Sequence, residues 1–200
     1  AFLFGNESRP QDKFIYTDLG ERFPGYKYSF GKSEYRGEDP GEGGYVYSEP
    51  GVYTDVVLLD VASMHPTSLI EMNYFGPFTQ KYADLKQTRI YIKHGEYDKA
   101  KKMFGGILEE FLQDPESADM LSEALKRIIN IVYGMTSAKF DNKFRHKRNH
   151  DNIVAKRGAL FMINLKHEVQ KRGYTVAHIK TDSIKIPNAD KKIIDFVFEY

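Results

Sequence analysis

The sequence predicts a mixed fold, in which short strands and long helices alternate along a chain of 200 residues. An aliphatic run at 56–59 is short and rich in valine, which is typical of a strand. Apolar residues between 120 and 132 recur at helical spacing, which indicates an amphipathic helix. The stretch 176–187 alternates apolar and polar residues on both sides of a tight turn, which predicts a hairpin.

The first predicted strand ends in a carboxylate, Asp60. We expect the strand to be buried, and an unpaired charge at its tip would cost several kcal/mol. The carboxylate therefore indicates contact with a metal, a cation or water, while a plain surface aspartate remains the alternative. Pro66 suits the first turn of a helix, so the segment predicts a strand, an aspartate, a tight turn and a helix start.

The composition bounds the class of protein. With 41% hydrophobic residues and a net charge of +1, the chain can form one domain, or one compact domain with a projecting subdomain. The absence of cysteine excludes disulfide scaffolds, thiolate zinc sites and cysteine nucleophiles. No apolar run approaches the roughly 18 residues of a membrane span. The first residue is not Met and the chain ends in a predicted helix at 190–200, so we expect a piece of a longer polypeptide.

Residues 1–50 are rich in glycine, proline, tyrosine and charge. This composition predicts short strands, for example at 45–47, and no long helix. Gly41, Gly43 and Gly44 would allow another segment to approach the backbone closely. A linker or a lid of hairpins is the alternative interpretation.

Two helices are predicted in the middle of the chain. The first runs from 81 to 93, breaks near Gly95 and continues to 104, with Lys86, Arg89 and Lys93 on one face. The second begins at Asp114 and Pro115, which suit a cap and a first helical residue.

We expect that second helix to end at Gly134. Lys126, Asn130 and Tyr133 fall opposite its apolar side and could bind a flat, anionic group, although both helices could equally present solvated faces. The apolar side comprises Met120, Leu121, Ala124, Leu125, Ile128, Ile129 and Val132.

The segment 139–157 is basic and carries Phe140 and Phe144 between its cations. It is either a contact surface for a phosphate backbone or a solvated loop. Its cations are Lys139, Lys143, Arg145, Lys147, Arg148, Lys156 and Arg157. A third helix is predicted over 152–172, with Gly173 just past its end and with Ile153, Leu160, Phe161, Ile163, Leu165 and Val169 as its apolar set.

The hairpin at 176–187 places a second aspartate, Asp182, at the end of a second apolar strand. We expect Pro187 to stop that strand and Asn188 to cap the last helix. Two carboxylates on neighbouring strand ends favour Mg²⁺ or Mn²⁺ over zinc. Together with cationic helix faces, they point to phosphoryl or nucleotidyl transfer by two metal ions.

Three segments in order carry a resemblance to a known family. DVASMHPT at 60–67 resembles the motif DxxSLYPS, KRIINIVYG at 126–134 resembles KxxxNSxYG, and HIKTDS at 178–183 resembles YGDTDS. The chain therefore resembles the polymerase core of family B DNA polymerases, most like those of bacteriophages. Gly43 and Gly44 are similar to the glycine motif that links the nuclease and polymerase parts of that family.

The resemblance implies an α+β polymerase palm, with an antiparallel β-sheet backed by helices and a two-helix fingers insertion. Residues 1–50 would lead into the palm, 51–77 would form its first part, 78–135 the fingers helices and 136–200 its second part. The exonuclease and the thumb are expected outside this chain, so we expect the chain alone to bind primer-template weakly.

The activity that the resemblance implies is template-directed DNA synthesis, in which two Mg²⁺ or Mn²⁺ ions assist the transfer of a dNTP to a primer 3′-hydroxyl. Asp60 and Asp182 would be catalytic and would hold the metals with the carbonyl of Val61. The implied nucleotide-binding residues are Ser63, Met64, His65, Arg89, Lys93, Lys126, Asn130 and Tyr133. The implied DNA-binding residues are Thr181, Lys180, Lys143, Arg145, Lys147 and Arg148. The implied partners are primer-template DNA, dNTPs and the remainder of the polymerase, without a membrane, in the cytoplasm (the host cytoplasm for a phage protein).

Three positions depart from the family pattern. His65 replaces a tyrosine that resembles a gate against the ribose 2′-hydroxyl, Lys180 replaces the first aspartate of the third motif, and Ile131 replaces a serine and is expected to pack in the helix. Two alternatives therefore remain: a catalytically inactive, palm-like module that binds nucleic acid or acts as a scaffold, and a primase-like enzyme that makes RNA.

Overall fold

The computed structural model describes residues 2–200, which group into two compact units. The first unit comprises residues 2–16 and Leu69–Asn149, and the second comprises Thr17–Ser68 and His150–Tyr200. The predicted segments 1–50 and 136–200 each contribute to both units. The secondary structure mixes helices with two antiparallel sheets, so the predicted α+β class is confirmed.

The helices and strands have the following bounds. The helices are α1 (Leu19–Arg22), α2 (Met64–Glu71), α3 (Thr79–Lys93), α4 (Tyr97–Lys102), α5 (Pro115–Ser137), α6 (Ile153–Lys171) and α7 (Lys191–Glu199). The strands are β1 (Lys27–Ser29), β2 (Lys32–Glu34), β3 (Val46–Ser48), β4 (Val56–Asp60), β5 (His178–Lys180) and β6 (Ser183–Pro187). Short 3-10 turns connect several of them.

The first unit is mainly helical. Helices α3 and α5 pack against each other, and the Tyr82 hydroxyl of α3 donates to the Ile129 carbonyl of α5 at 2.9 Å. Asp114 caps α5, because its carboxylate accepts from the Ser117 amide at 2.9 Å. The predicted helix bounds around Gly95 and the predicted cap are therefore confirmed.

The second unit contains a four-stranded antiparallel sheet in the order β3-β5-β6-β4. Ile179, Ile184 and Ile186 point to its buried side. Helix α6 supplies many of the other buried side chains of this unit, among them Ile153, Leu160, Ile163, Leu165 and Val169. The predicted hairpin at 176–187 and the predicted third helix are confirmed.

Helix α5 corrects two predictions. It does not end at Gly134 but continues to Ser137, and its last turn carries a fully buried Thr136. Its buried stripe is also narrower than predicted, because Met120 is 70% exposed and Ile128 is 46% exposed, and Ile131, which was expected to pack, is 63% exposed. Ile131 therefore does not pack in the helix interface.

Strand β4 corrects a third prediction. We expected a buried strand, but Val56 is 40% exposed and Leu58 is 52% exposed. The strand lies at the edge of the sheet beside β6, and the face that carries Val56, Leu58 and Asp60 is open to solvent. The last helix corrects a fourth, since the carboxylate of Asp190, and not Asn188, caps α7 by accepting from the Ile193 amide at 3.0 Å.

Within residues 2–200, none of the helices has the length and apolar character that crossing a membrane would require.

Candidate metal and nucleotide site

The sheet brings the two predicted aspartates to the same end of neighbouring strands. Asp60, the last residue of β4, is paired in register with Ser183, the first residue of β6. Asp182 immediately precedes Ser183, and its carbonyl accepts from the Val61 amide at 2.8 Å. Because adjacent strands lie about 4.8 Å apart, both carboxylates start from neighbouring backbone positions.

The turn that carries Asp182 is fixed from its other side by the β3 segment. The Thr181 amide donates to the Tyr45 carbonyl at 2.8 Å. A Cβ added to Gly44 would lie 2.6 Å from the Thr181 hydroxyl oxygen, so only glycine fits there. The predicted close approach is confirmed for Gly44, whereas Gly43 faces open space.

The site has unbalanced negative charge. Asp60 and Asp182 are both exposed, and among the described residues neither carboxylate has a hydrogen bond or an ion pair. Lys180 is also exposed and lies in the same cross-strand row, since Lys180 and Asp60 both pair with Ser183. The like charges of Asp60 and Asp182 start from neighbouring backbone positions and repel each other, and a bound cation would relieve that repulsion.

The chemistry of the donors fits Mg²⁺ or Mn²⁺. Both residues offer hard carboxylate oxygens, which these ions prefer. No group of three or more His, Asp or Glu side chains is placed to hold a metal ion in the part of the chain that the structure describes. The two carboxylates match an ion that is held by one or two carboxylates and completes its shell with water and substrate phosphates.

Helix α2 begins directly beside this pair. Ser63 adopts a left-handed backbone conformation with φ 52°, and Met64 is buried against Gly158, where an added Cβ would lie 2.7 Å from the Met64 sulfur. His65 is half-buried, and burial lowers its pKa below 6.5, while the negative charge of Asp182 opposes that shift. The imidazole is therefore neutral at pH 7 and close enough to Asp182 to sense its charge.

The predicted cationic residues of the fingers lie on α3 and α5 in the first unit. On α3, Lys93 is exposed and Arg89 is partly buried, with no hydrogen-bond partner for the buried Arg89 Nε among the described residues. Burial also lowers the pKa of Lys86, one turn before Arg89, against the attraction of Glu71.

Helix α5 carries the remaining predicted nucleotide-binding residues. Lys126 and Asn130 are exposed and Tyr133 is partly buried. Lys126 Nζ lies 3.6 Å from a carboxylate oxygen of Glu123, which is a surface contact of little energy. These side chains therefore belong to the first unit, whereas the paired aspartates, Val61, Ser63, Met64 and His65 belong to the second.

The basic segment is divided. Its first part lies in the first unit, and two of its cations are hydrogen-bonded to the backbone. Lys143 donates to the Glu7 carbonyl at 3.2 Å, and Arg145 donates to the Ala138 carbonyl at 3.0 Å. Lys147 lies 3.5 Å from Asp12, and the Arg148 guanidinium stacks 4.8 Å from the ring centre of Tyr16.

The second part of the basic segment fits neither expectation, the phosphate-contact surface or the solvated loop. Lys156 is only 3% exposed, and its ammonium donates to the Ser33 hydroxyl at 2.7 Å and to the Gly41 carbonyl. The Arg157 guanidinium lies over the Phe161 ring at 5.8 Å. These two cations lie on α6, whose side chains are mostly buried.

The second unit also contains a buried ionic cluster that was not predicted from the sequence. The Lys166 ammonium lies 2.7 Å from both carboxylate oxygens of Glu38 and 2.7 Å from the Tyr45 hydroxyl. Glu38 and Tyr45 lie more than a hundred positions before Lys166 in the chain, so no local sequence pattern could have predicted these contacts.

A scan against models of protein families found no match to this chain, and a search of the curated proteins found none either. We therefore infer function from the residues themselves.

Proposed function

We propose that this chain forms the palm and fingers of a template-directed DNA polymerase of the family B type. The observation that supports this most is the strand register, which pairs Asp60 with Ser183 and bonds Val61 to Asp182. It gathers two carboxylates that lie over a hundred residues apart in sequence, at the positions that the first and third motifs assign to metal binding. The remaining parts of the polymerase would supply exonuclease and thumb.

In this proposal the second unit holds the reacting groups. The carboxylates of Asp60 and Asp182, with the Val61 carbonyl, hold two Mg²⁺ or Mn²⁺ ions. When bound, the metal pair supplies activation of the primer 3′-hydroxyl and neutralisation of charge on the leaving pyrophosphate. Backbone amides near Ser63 and Met64 orient the triphosphate, and His65 contacts the sugar.

The cations that the resemblance assigns to nucleotide binding would supply positive charge to the triphosphate. Arg89, Lys93 and Lys126 neutralise negative charge that develops in the transition state, while Asn130 and Tyr133 contact the incoming nucleotide and the nascent base pair. The partly buried Arg89 and the exposed Lys93 follow the four-residue spacing that places both on one face of α3. Contacts from Lys143, Arg145, Lys147 and Arg148 to phosphates would position duplex DNA without reading its sequence.

Primer extension with dNTPs and Mg²⁺ or Mn²⁺, by a longer polypeptide that contains this chain, tests this proposal. We expect Asp60→Asn and Asp182→Asn each to lower the extension rate at least about 10²-fold, because several kcal/mol of metal-dependent charge stabilisation would be lost at about 1.4 kcal/mol per factor of ten. The variants should keep the far-UV circular dichroism of the wild type.

Asp55→Asn is the matched control. Asp55 precedes the opposite end of β4, and its φ of 48° is one that asparagine tolerates. It should extend primers like the wild type. If either aspartate variant also does so, the proposed site is wrong. If the wild type has no activity and binds nucleic acid without metal, the inactive scaffold is the better description, and a preference for rNTPs over dNTPs would assign the RNA-synthesising alternative suggested by His65.

A further inference from the structure

The buried cluster around Lys166 lies on the far side of the Asp182 turn from Asp60. Lys166 belongs to α6, and its side chain is 5% exposed. Its ammonium contacts both oxygens of Glu38 and the hydroxyl of Tyr45, and it lies 4.0 Å from the ring centre of Tyr47. Burying an ion pair rarely adds net stability by itself, so its position needs another explanation.

The cluster is satisfied on every side. The Tyr45 hydroxyl also donates to Glu38, and His167 Nε2 lies 3.1 Å from Glu38 Oε1. Burial raises the pKa of Glu38, but these contacts outweigh that effect and hold the pKa below 4.5. A fully bonded network of this kind holds its members in one geometry.

Tyr45 connects this network to the proposed metal site. Its side chain is held by Lys166 and Glu38, and its backbone carbonyl accepts from the Thr181 amide at 2.8 Å. The preceding residue, Gly44, lies in direct contact with the Thr181 side chain. Thr181 itself has a left-handed φ of 56°, a conformation that threonine rarely adopts and that needs support from its surroundings.

We infer that Lys166 is a positioning residue, which acts through Glu38 and Tyr45 to fix the Thr181–Asp182 turn in the geometry that binds divalent metal. Lys166 does not touch the reacting groups. Its effect passes along hydrogen bonds from α6 to Tyr45, the residue before β3, and from Tyr45 to the turn. The part of this inference that concerns metal rests on the proposed function, whereas the part that concerns the turn does not.

The test uses the double variant Lys166→Met with Glu38→Gln. It removes both charges, so no buried charge is left unpaired and the fold can persist. The matched control is Lys191→Met with Asp195→Asn, which removes an exposed cation–carboxylate pair on α7. Both variants should show cooperative unfolding and the circular dichroism of the wild type.

Amide hydrogen exchange reads the turn directly. We expect exchange at the Thr181 amide to become about tenfold faster in the cluster variant. Exchange at Asn188, whose amide bonds Asp55 at the other end of β6, should not change. Equal acceleration at both amides, or no acceleration at Thr181, would overturn the inference.

Mn²⁺ titration then tests the coupling to the metal. The cluster variant should bind Mn²⁺ about tenfold more weakly than the wild type, as second-shell partners of metal ligands typically do when they are lost, and the α7 control should bind like the wild type. Faster exchange at Thr181 with unchanged Mn²⁺ affinity would refute the coupling. Absence of Mn²⁺ binding by the wild type would refute the proposed function, while the exchange result would still decide the role of Lys166 in the turn.

Discussion

Two groups of carboxylates in the second unit have opposite surroundings. Glu38 is bonded by Lys166, Tyr45 and His167, whereas Asp60 and Asp182 are exposed and have no hydrogen bond or ion pair among the described residues. A carboxylate that serves the fold is surrounded by donors. Asp60 and Asp182 receive no such donors from the folded chain and face solvent, so the proposed metal site would give them the partners that Glu38 already has.

Substituting one residue in each group should show the largest difference, measured as the change in the free energy of unfolding. Lys166→Met would leave the Glu38 carboxylate largely buried without its cation, and we expect it to lower the free energy of unfolding by about 3 kcal/mol, near the low end for a buried pair because Glu38 keeps some exposure. Asp60→Asn should change it by less than about 0.5 kcal/mol. Urea denaturation measures both values.

Lys191→Met is the control for the stability comparison, since Lys191 forms an exposed pair with Asp195 on α7 and should also stay within about 0.5 kcal/mol of the wild type. If Lys166→Met unfolds at the same urea concentration as this control, Glu38 does not depend on Lys166 in the folded state. The proposed difference between Glu38 and the two exposed aspartates would then be wrong.

A smaller effect concerns the titration of His65. Burial places its pKa below 6.5 and Asp182 partly offsets this, so the histidine should titrate below 6.5 by NMR and lower still in Asp182→Asn. Because the folded pKa is depressed, the unfolded chain takes up the proton first, and stability linked to His65 is lost as pH falls through 6.5.

Asp55→Asn should leave the His65 midpoint where it is in the wild type. An unchanged titration midpoint of His65 in Asp182→Asn would mean that the Asp182 carboxylate does not interact with His65, and the proposed placement of Asp182 beside α2 would be wrong.

Much of the secondary structure could be predicted because its signals are local. Asp114 and Pro115 mark the start of α5, and the alternation around Thr181 marks the hairpin. The end of α5 was predicted wrongly at Gly134, since the burial of Thr136 continues the helix past a residue that often ends one. Exposure of β4 could not be predicted, because its position at the edge depends on the order of strands in the sheet.

The residues of the second unit that matter for the candidate site could also be predicted only in part. Asp60 and Asp182 were predicted because each follows an apolar stretch in the sequence, and the sheet register brings their backbone positions next to each other. Lys166 and Glu38 gave no signal, because a lysine in a helix and a glutamate in a loop usually lie in water. Lys156 was misplaced on a basic surface for the same reason, since its burial depends on Ser33 and Gly41, which are distant in sequence.

The most direct test of the central claim is an Mn²⁺ titration in the presence of a dNTP, with free Mn²⁺ followed by electron paramagnetic resonance. We expect binding by the wild type and by Asp55→Asn. The affinity should be at least about 10- to 100-fold weaker in Asp60→Asn and Asp182→Asn, because losing even a residue that only orients a metal ligand typically has that effect. Equal affinity in all four proteins, or no binding by the wild type, would contradict it.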